Sequence, residues 1–151
     1  MVDALKRILL AEDNPDDVEL TLRGLAGSGL ANEVVVVRDG VEALDYLLRR
    51  GPYASRESGD PAVVLLDNKM PRLTGLDVLE ALRADPSLKT IPVVMLTSSR
   101  EEADLLRSYE LGANAYVVKP VTLPEFLAAV GTLGLFWAVI NEPPIGFPPK
   151  R

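Results

Sequence analysis

Five short runs of apolar, largely β-branched residues recur along the chain: Ile8-Leu9-Leu10, Val34 to Val37, Ala62 to Leu66, Val93 to Leu96 and Ala115 to Val118. None is interrupted by alternating polar residues, so each reads as a strand covered on both faces. After each run the apolar period becomes that of a helix. Val18, Leu22 and Leu25 mark the first helix, Val41, Leu44 and Leu48 the second, and Leu76, Leu79 and Leu82 the third. Leu105, Leu106 and Tyr109 mark the fourth, and Phe126, Val130 and Leu133 the fifth. Helix starts are signalled independently: Asp39-x-x-Glu42, Ser99-x-x-Glu102 and Thr122-x-x-Glu125 read as capping boxes, and Asn14-Pro15 as a cap followed by proline at the first helical position. Five strand–helix alternations predict an α/β protein with a doubly wound parallel sheet, because right-handed crossovers place helices on both faces. Gly51 to Pro61 exceeds the usual αβ connection and is expected to be an exposed, mobile insertion.

A chain of 151 residues suits one compact domain with an appendage rather than two domains. The absence of cysteine excludes thiolate nucleophiles, disulfides and Cys-ligated zinc, and the absence of histidine excludes imidazole bases and phosphohistidine carriage by this chain. A formal charge of −6 and a pI near 4.7 would repel nucleic-acid phosphates, so no nucleic-acid partner is expected. The first apolar run is too short for a signal core or a membrane span, which leaves a cytoplasmic location with no membrane contact as the expectation.

In open α/β sheets ligands bind beyond the carboxyl ends of the strands, and here those ends are polar. Strand 1 leaves in Glu12-Asp13, strand 3 in Asp67, strand 4 in Thr97-Ser98-Ser99 and strand 5 in Lys119-Pro120. With a flavodoxin-like strand order of 2-1-3-4-5, Glu12, Asp13 and Asp67 share one pocket. Two unit charges 4 Å apart repel by ~1 kcal/mol in water and ~4 kcal/mol at an effective dielectric of 20, so the cluster calls for a cation. An all-oxygen donor set suits Mg²⁺, and Mg²⁺ with Lys119 would bring the pocket to neutrality.

In this order and at these strand ends, Glu12-Asp13, Asp67-x-x-Met70-Pro71-x-x-x-Gly75, Thr97 and Lys119-Pro120 resemble the receiver domain of bacterial response regulators over residues 6 to 133. The resemblance implies a flavodoxin-like (βα)5 fold with Asp67 as phosphoacceptor. It also implies Mg²⁺ held by Glu12, Asp13, Asp67 and the Lys69 backbone carbonyl, phosphoryl oxygens contacted by Thr97 and Lys119, and a switch formed by Thr97 and Tyr116. In that family the Lys-Pro bond is typically cis, and the positions of Lys69 and Ser99 often tune hydrolysis of the acyl phosphate. Asn68 departs from the pattern, being polar where receivers often carry an aliphatic residue. Blander readings exist for single residues. Asp16 and Asp17 read as partners of the first helix's dipole, and Tyr116 as plain packing is the alternative to a switch.

The chemistry of the residues agrees with the resemblance: a carboxylate can attack phosphorus, and the remaining groups need only align it and neutralise oxygen charge. The phosphoryl donor is then expected to be a partner histidine kinase. The alternatives are a pseudo-receiver acting as a constitutive binding or dimerisation module, and a flavodoxin-like cofactor carrier, which the acidic turn after strand 1 disfavours. Residues 1–133 form the expected receiver and residues 134–151 an apolar extension, too short for a DNA-binding output domain. Three of the eight aromatics, Phe136, Trp137 and Phe147, lie in that extension. Phe136, Trp137 and Ile140 are expected to pack against a second copy in a symmetric homodimer, the alternative being a tail folded back on its own chain. The tail also resembles single-domain response regulators serving phytochrome-type histidine kinases.

Overall fold

The computed structural model describes residues 7–25, 33–56, 59–108 and 112–132. Five parallel strands, β1 (Ile8–Ala11), β2 (Val34–Val37), β3 (Val63–Asp67), β4 (Val93–Thr97) and β5 (Ala115–Val118), form one sheet in the order β2-β1-β3-β4-β5. Between and after them run α1 (Pro15–Leu25), α2 (Gly40–Leu48), α3 (Gly75–Ala84), α4 (Arg100–Ser108) and α5 (Leu123–Thr132). This is the expected flavodoxin-like topology, and every strand matches its apolar run to within a residue at each end.

Both faces of the sheet are covered, which is why the runs show no polar alternation. Along β1, β3 and β4, Leu9, Ala11, Val64, Leu66, Val93 and Met95 pack with α2 and α3. Their neighbours Ile8, Leu10, Val63, Leu65, Val94 and Leu96 pack with α1 and α5 around Phe126. Each fully buried Leu or Ile contributes ~1.5–3 kcal/mol relative to exposure. Not every apolar residue of a predicted helix face turns inward. In α1 the buried stripe is Val18, Thr21 and Leu25, and Leu22 is 37% exposed. In α4, Ala103 and Leu106 are buried while Leu105 is 55% exposed.

The helix starts follow the capping chemistry. Asn14 Oδ1 accepts from the N–H groups of Asp16 (2.8 Å) and Asp17 (3.1 Å), with Pro15 at the first helical position. Asp39, Ser99 and Thr122 each accept the backbone N–H of the glutamate three residues on. Glu42 and Glu102, however, reach one residue behind the cap, to the N–H groups of Arg38 and Ser98. The full reciprocal box is at α3, between Thr74 and Asp77, where the shorter aspartate closes it.

The described residues of the segment after α2 are mostly exposed, as expected, but Pro61 is buried and the first half is held against that helix. Gly51–Tyr53 form a 3-10 turn, and Tyr53 Oη donates to Glu42 Oε2 at 2.6 Å. The Arg56 guanidinium lies 4.2 Å from the Tyr46 ring centroid and donates to the Tyr46 carbonyl. Phe136, Trp137 and Ile140, and the domain boundary at residue 133, lie outside the described residues.

Candidate functional site

The sheet itself places the site. One ladder hydrogen bond beyond the ends of β1, β3 and β5 holds the next residue: Glu12 N–H donates to the Val37 carbonyl (2.9 Å), Asn68 N–H to Leu96 (3.3 Å) and Lys119 N–H to Thr97 (2.7 Å). The turn after Asp67 closes through Gly75, whose N–H donates to the Asn68 carbonyl at 2.9 Å. A Cβ at Gly75 would stand 2.5 Å from the Asp67 carbonyl oxygen, so glycine is required for α3 to start this close to the strand end. The Lys119-Pro120 peptide bond is cis.

Glu12, Asp13 and Asp67 meet there, each offering a carboxylate oxygen within 4.8 Å of the others. Glu12 is fully buried and Asp67 nearly so, whereas Asp13 faces solvent. Lys119 Nζ lies 3.2 Å from Glu12 Oε1 and 3.4 Å from Asp67 Oδ1. The other Glu12 oxygen accepts the Asn14 N–H at 3.3 Å. Burial, reinforced by the hydrogen bond and charge of Asp67, pushes the Glu12 carboxyl up to about 7 against the pull of Lys119. Burial also raises the Asp67 carboxyl, although Glu12 and Lys119 hold it down. Lys119 is held above the usual lysine range: burial opposes its charge, but Asp17, Asp67 and Glu12 together outweigh that.

Asp17 is the member the sequence reading missed. Its Oδ2 lies 2.8 Å from Lys119 Nζ, nearer than either Glu12 or Asp67. The signal was present in Asn14-Pro15: with Asn14 satisfying the first helical N–H groups, the Asp17 side chain is left free of the cap. The other expected residues lie on or just after β3, β4 and β5. Thr97 is fully buried at the end of β4, and its hydroxyl donates to the Ser99 carbonyl at 3.2 Å. Ser99 Oγ caps α4, and exposed Lys69 pairs with Glu102 at 3.6 Å. Tyr116 is half-buried, packs on the α2–α3 side of the core, and lines a groove of about 510 Å³ with residues including Arg100, Ala103, Ala128 and Ala129. Asn68 Oδ1 is buried and has no hydrogen-bond partner among the described residues.

The donor set contains only oxygens, is deeply seated on one side and open at Asp13, and carries more negative charge than Lys119 offsets. It therefore fits a divalent cation of the hard type. Among the described residues no helix is long and apolar enough to cross a membrane.

Comparison with known proteins agrees with this geometry. The model of the response regulator receiver domain matches residues 8–131. Response regulator Rcp1 of Synechocystis sp. is 38% identical over 132 residues, covering 87% of this chain and 88% of its own length. A solved Mn²⁺-bound form of Rcp1 superposes with a TM-score of 0.69 at 38% identity, over 88% of this chain and 94% of that one. The bacteriophytochrome response regulator AtBRR is 61% identical with a TM-score of 0.87, over 93% of this chain and 100% of that one. The bacteriophytochrome response regulator RtBRR is 60% identical with a TM-score of 0.85, over 95% of this chain and 86% of that one. With its strand order, its acidic cluster and these likenesses in agreement, the chain belongs to the response regulator receiver domain family.

Proposed function

We propose that this receiver is a phosphoacceptor switch in which Asp67 takes a phosphoryl group from a phosphohistidine on a partner histidine kinase. The observation that carries the reading is the meeting of the Asp67 carboxylate with Glu12, Asp13 and the Lys119 ammonium at the carboxyl ends of β1, β3 and β5. An Asp67 carboxylate oxygen forms the new bond to phosphorus as the phosphorus–nitrogen bond breaks. The bonding pair leaves with the imidazole, which departs neutral when its other nitrogen carries a proton. Water attack at phosphorus later returns the Asp67 carboxylate and releases inorganic phosphate. Mg²⁺, held by Glu12, Asp13, Asp67 and the Lys69 carbonyl, would neutralise developing oxygen charge. Lys119 donates to the phosphoryl oxygens, and Thr97 exchanges its bond to the Ser99 carbonyl for one to the same group. Tyr116 follows Thr97 and reshapes the groove beside α4 and α5, while Lys69 and Ser99 tune hydrolysis. The names of the relatives favour a phytochrome-type kinase as the partner, and the exchange takes place in the cytoplasm. Phe136, Trp137 and Ile140 beyond residue 133 then serve as a dimerisation arm.

Intact mass after incubation with Mg²⁺ and acetyl phosphate tests the phosphoacceptor role. The wild type is expected to gain one phosphoryl group and Asp67→Asn none. A wild type without the gain would point to a constitutive pseudo-receiver, and an equal gain in the variant would place the acceptor elsewhere.

Metal affinity should also depend on pH. Since the Glu12 carboxyl titrates near 7 in the metal-free protein, bound metal must displace its proton below that pH. Mg²⁺ affinity measured by calorimetry is expected to be nearly flat above pH 7.5 and to weaken about tenfold between pH 8 and pH 6. A flat profile down to pH 5.5 would remove Glu12 from the metal's ligands.

A further inference from the structure

We propose that Asp17 is a positioning residue of this site: a resting counter-ion that holds the Lys119 ammonium and from which a phosphoryl group on Asp67 must draw it. The inference rests on the phosphoacceptor reading and adds a residue and a restraint to it.

An ammonium has three donors, and here Lys119 Nζ donates to Asp17 and Glu12 and lies within ion-pair range of Asp67. Asp17 is nearest at 2.8 Å, Glu12 follows at 3.2 Å and Asp67 is farthest at 3.4 Å. The three are not equally able to let go. Glu12 is fully buried and tied through its other oxygen to the Asn14 N–H, so it stays. Asp67 is the acceptor itself, and its added phosphoryl oxygens draw Lys119 more strongly than the carboxylate did. Asp17 gains nothing from phosphorylation, and its side chain is 32% exposed, so water replaces the lost partner at modest cost. A cavity of about 280 Å³, lined by Asp17, Leu20, Thr21, Ser98, Lys119 and Pro120, adjoins the pair, so water has room to take the ammonium's place beside the Asp17 carboxylate. The Asp17 side chain makes none of the capping bonds at the helix start, which Asn14 supplies. Its carboxylate therefore opposes capture of the phosphoryl group: each bond Lys119 keeps to Asp17 is one withheld from the phosphoryl oxygens.

The test is beryllium fluoride, a phosphoryl mimic, titrated in excess Mg²⁺ and followed by fluorine NMR, beside acetyl phosphate labelling. Asp17→Asn is expected to bind beryllium fluoride about three- to fivefold more tightly than wild type, the range a partly exposed ion pair allows, and to label faster by a similar factor. Asp17→Ser should move the same way, which separates loss of charge from the new amide. Asp17→Glu should return toward wild type. Asp16→Asn removes the same charge from the same helix turn without touching Lys119, and should leave affinity and labelling at the wild-type level. Equal or weaker binding in both Asp17→Asn and Asp17→Ser would overturn the proposal, as would an equal gain in Asp16→Asn, since net charge alone would then suffice. Failure of the wild type itself to take a phosphoryl group would instead overturn the underlying reading.

Discussion

Lys119→Met is expected to lower the rate of Asp67 phosphorylation by acetyl phosphate about a hundredfold, the scale of losing one charged donor to a transition-state oxygen. It should also destabilise the metal-free protein. Lys119 is the shared cation of Glu12, Asp17 and Asp67, and removing one partner of a buried pair costs ~3–5 kcal/mol. Here the loss is expected to be smaller, about 2 kcal/mol, because Asp17 is partly hydrated and Glu12 can take up a proton. The sign of the pH dependence follows. Without Lys119 the Glu12 and Asp67 carboxyls, already raised by burial, rise further above their unfolded values. Between about pH 4.5 and 7 the folded variant then binds more protons than the unfolded chain, so its stability increases as pH falls. Urea unfolding in EDTA at pH 7.5 and pH 5.5 measures this, and added Mg²⁺ at pH 7.5 should recover part of the loss. A variant as stable as wild type at pH 7.5 in EDTA would show that the carboxylates need no internal cation.

The second large effect is structural. Gly24 lies in the last turn of α1, where helix propensity alone would make alanine stabilising by about 1 kcal/mol. The tertiary structure reverses that sign. A Cβ on Gly24 would overlap the Val121 carbonyl oxygen and stand 2.9 Å from its carbon and 3.3 Å from Thr122 Cα. These are backbone atoms that cannot rotate away, so α1 must lift from the turn between β5 and α5. That opens the packing of Val18, Leu25, Val121 and Phe126; overpacking typically costs ~1–3 kcal/mol, and an overlap with backbone places this one at about 3 kcal/mol. Gly24→Ala is therefore expected to lower the urea midpoint strongly with an unchanged slope. Because the same turn carries Lys119-Pro120, it should also weaken phosphorylation. An unchanged or raised midpoint would mean that α1 accommodates the methyl group by a small shift.

Much of this molecule is legible in its sequence because the dominant signals are local. Strands such as Val34 to Val37 and Val93 to Leu96 are continuous apolar runs, and only a sheet covered on both faces buries such runs completely. Asn14, Asp39, Ser99 and Thr122 act as caps through bonds to residues two or three positions away, so spacing alone predicts them. Glu12, Asp13, Asp67 and Lys119 were readable as a set because parallel strands send all their carboxyl ends to one edge. The first half of the segment after α2 was not readable in this way, since Arg56 and Tyr53 find their partners only once α2 is in place.

What the chain determined by itself, then, is the order and type of its elements and the identity of the acidic centre, since period, capping and strand-end position are properties of neighbouring residues. The tertiary structure decided which side chains of each helix face inward, burying the polar Thr21 and Leu106 while leaving the more apolar Leu22 and the equally apolar Leu105 toward solvent, because that choice depends on where the sheet lies against each helix. It also decided that Asp17 rather than Asp16 meets Lys119, and that Gly24 admits no side chain. Those outcomes rest on contacts between segments about a hundred residues apart, set by distances of tenths of an ångström that no local pattern encodes.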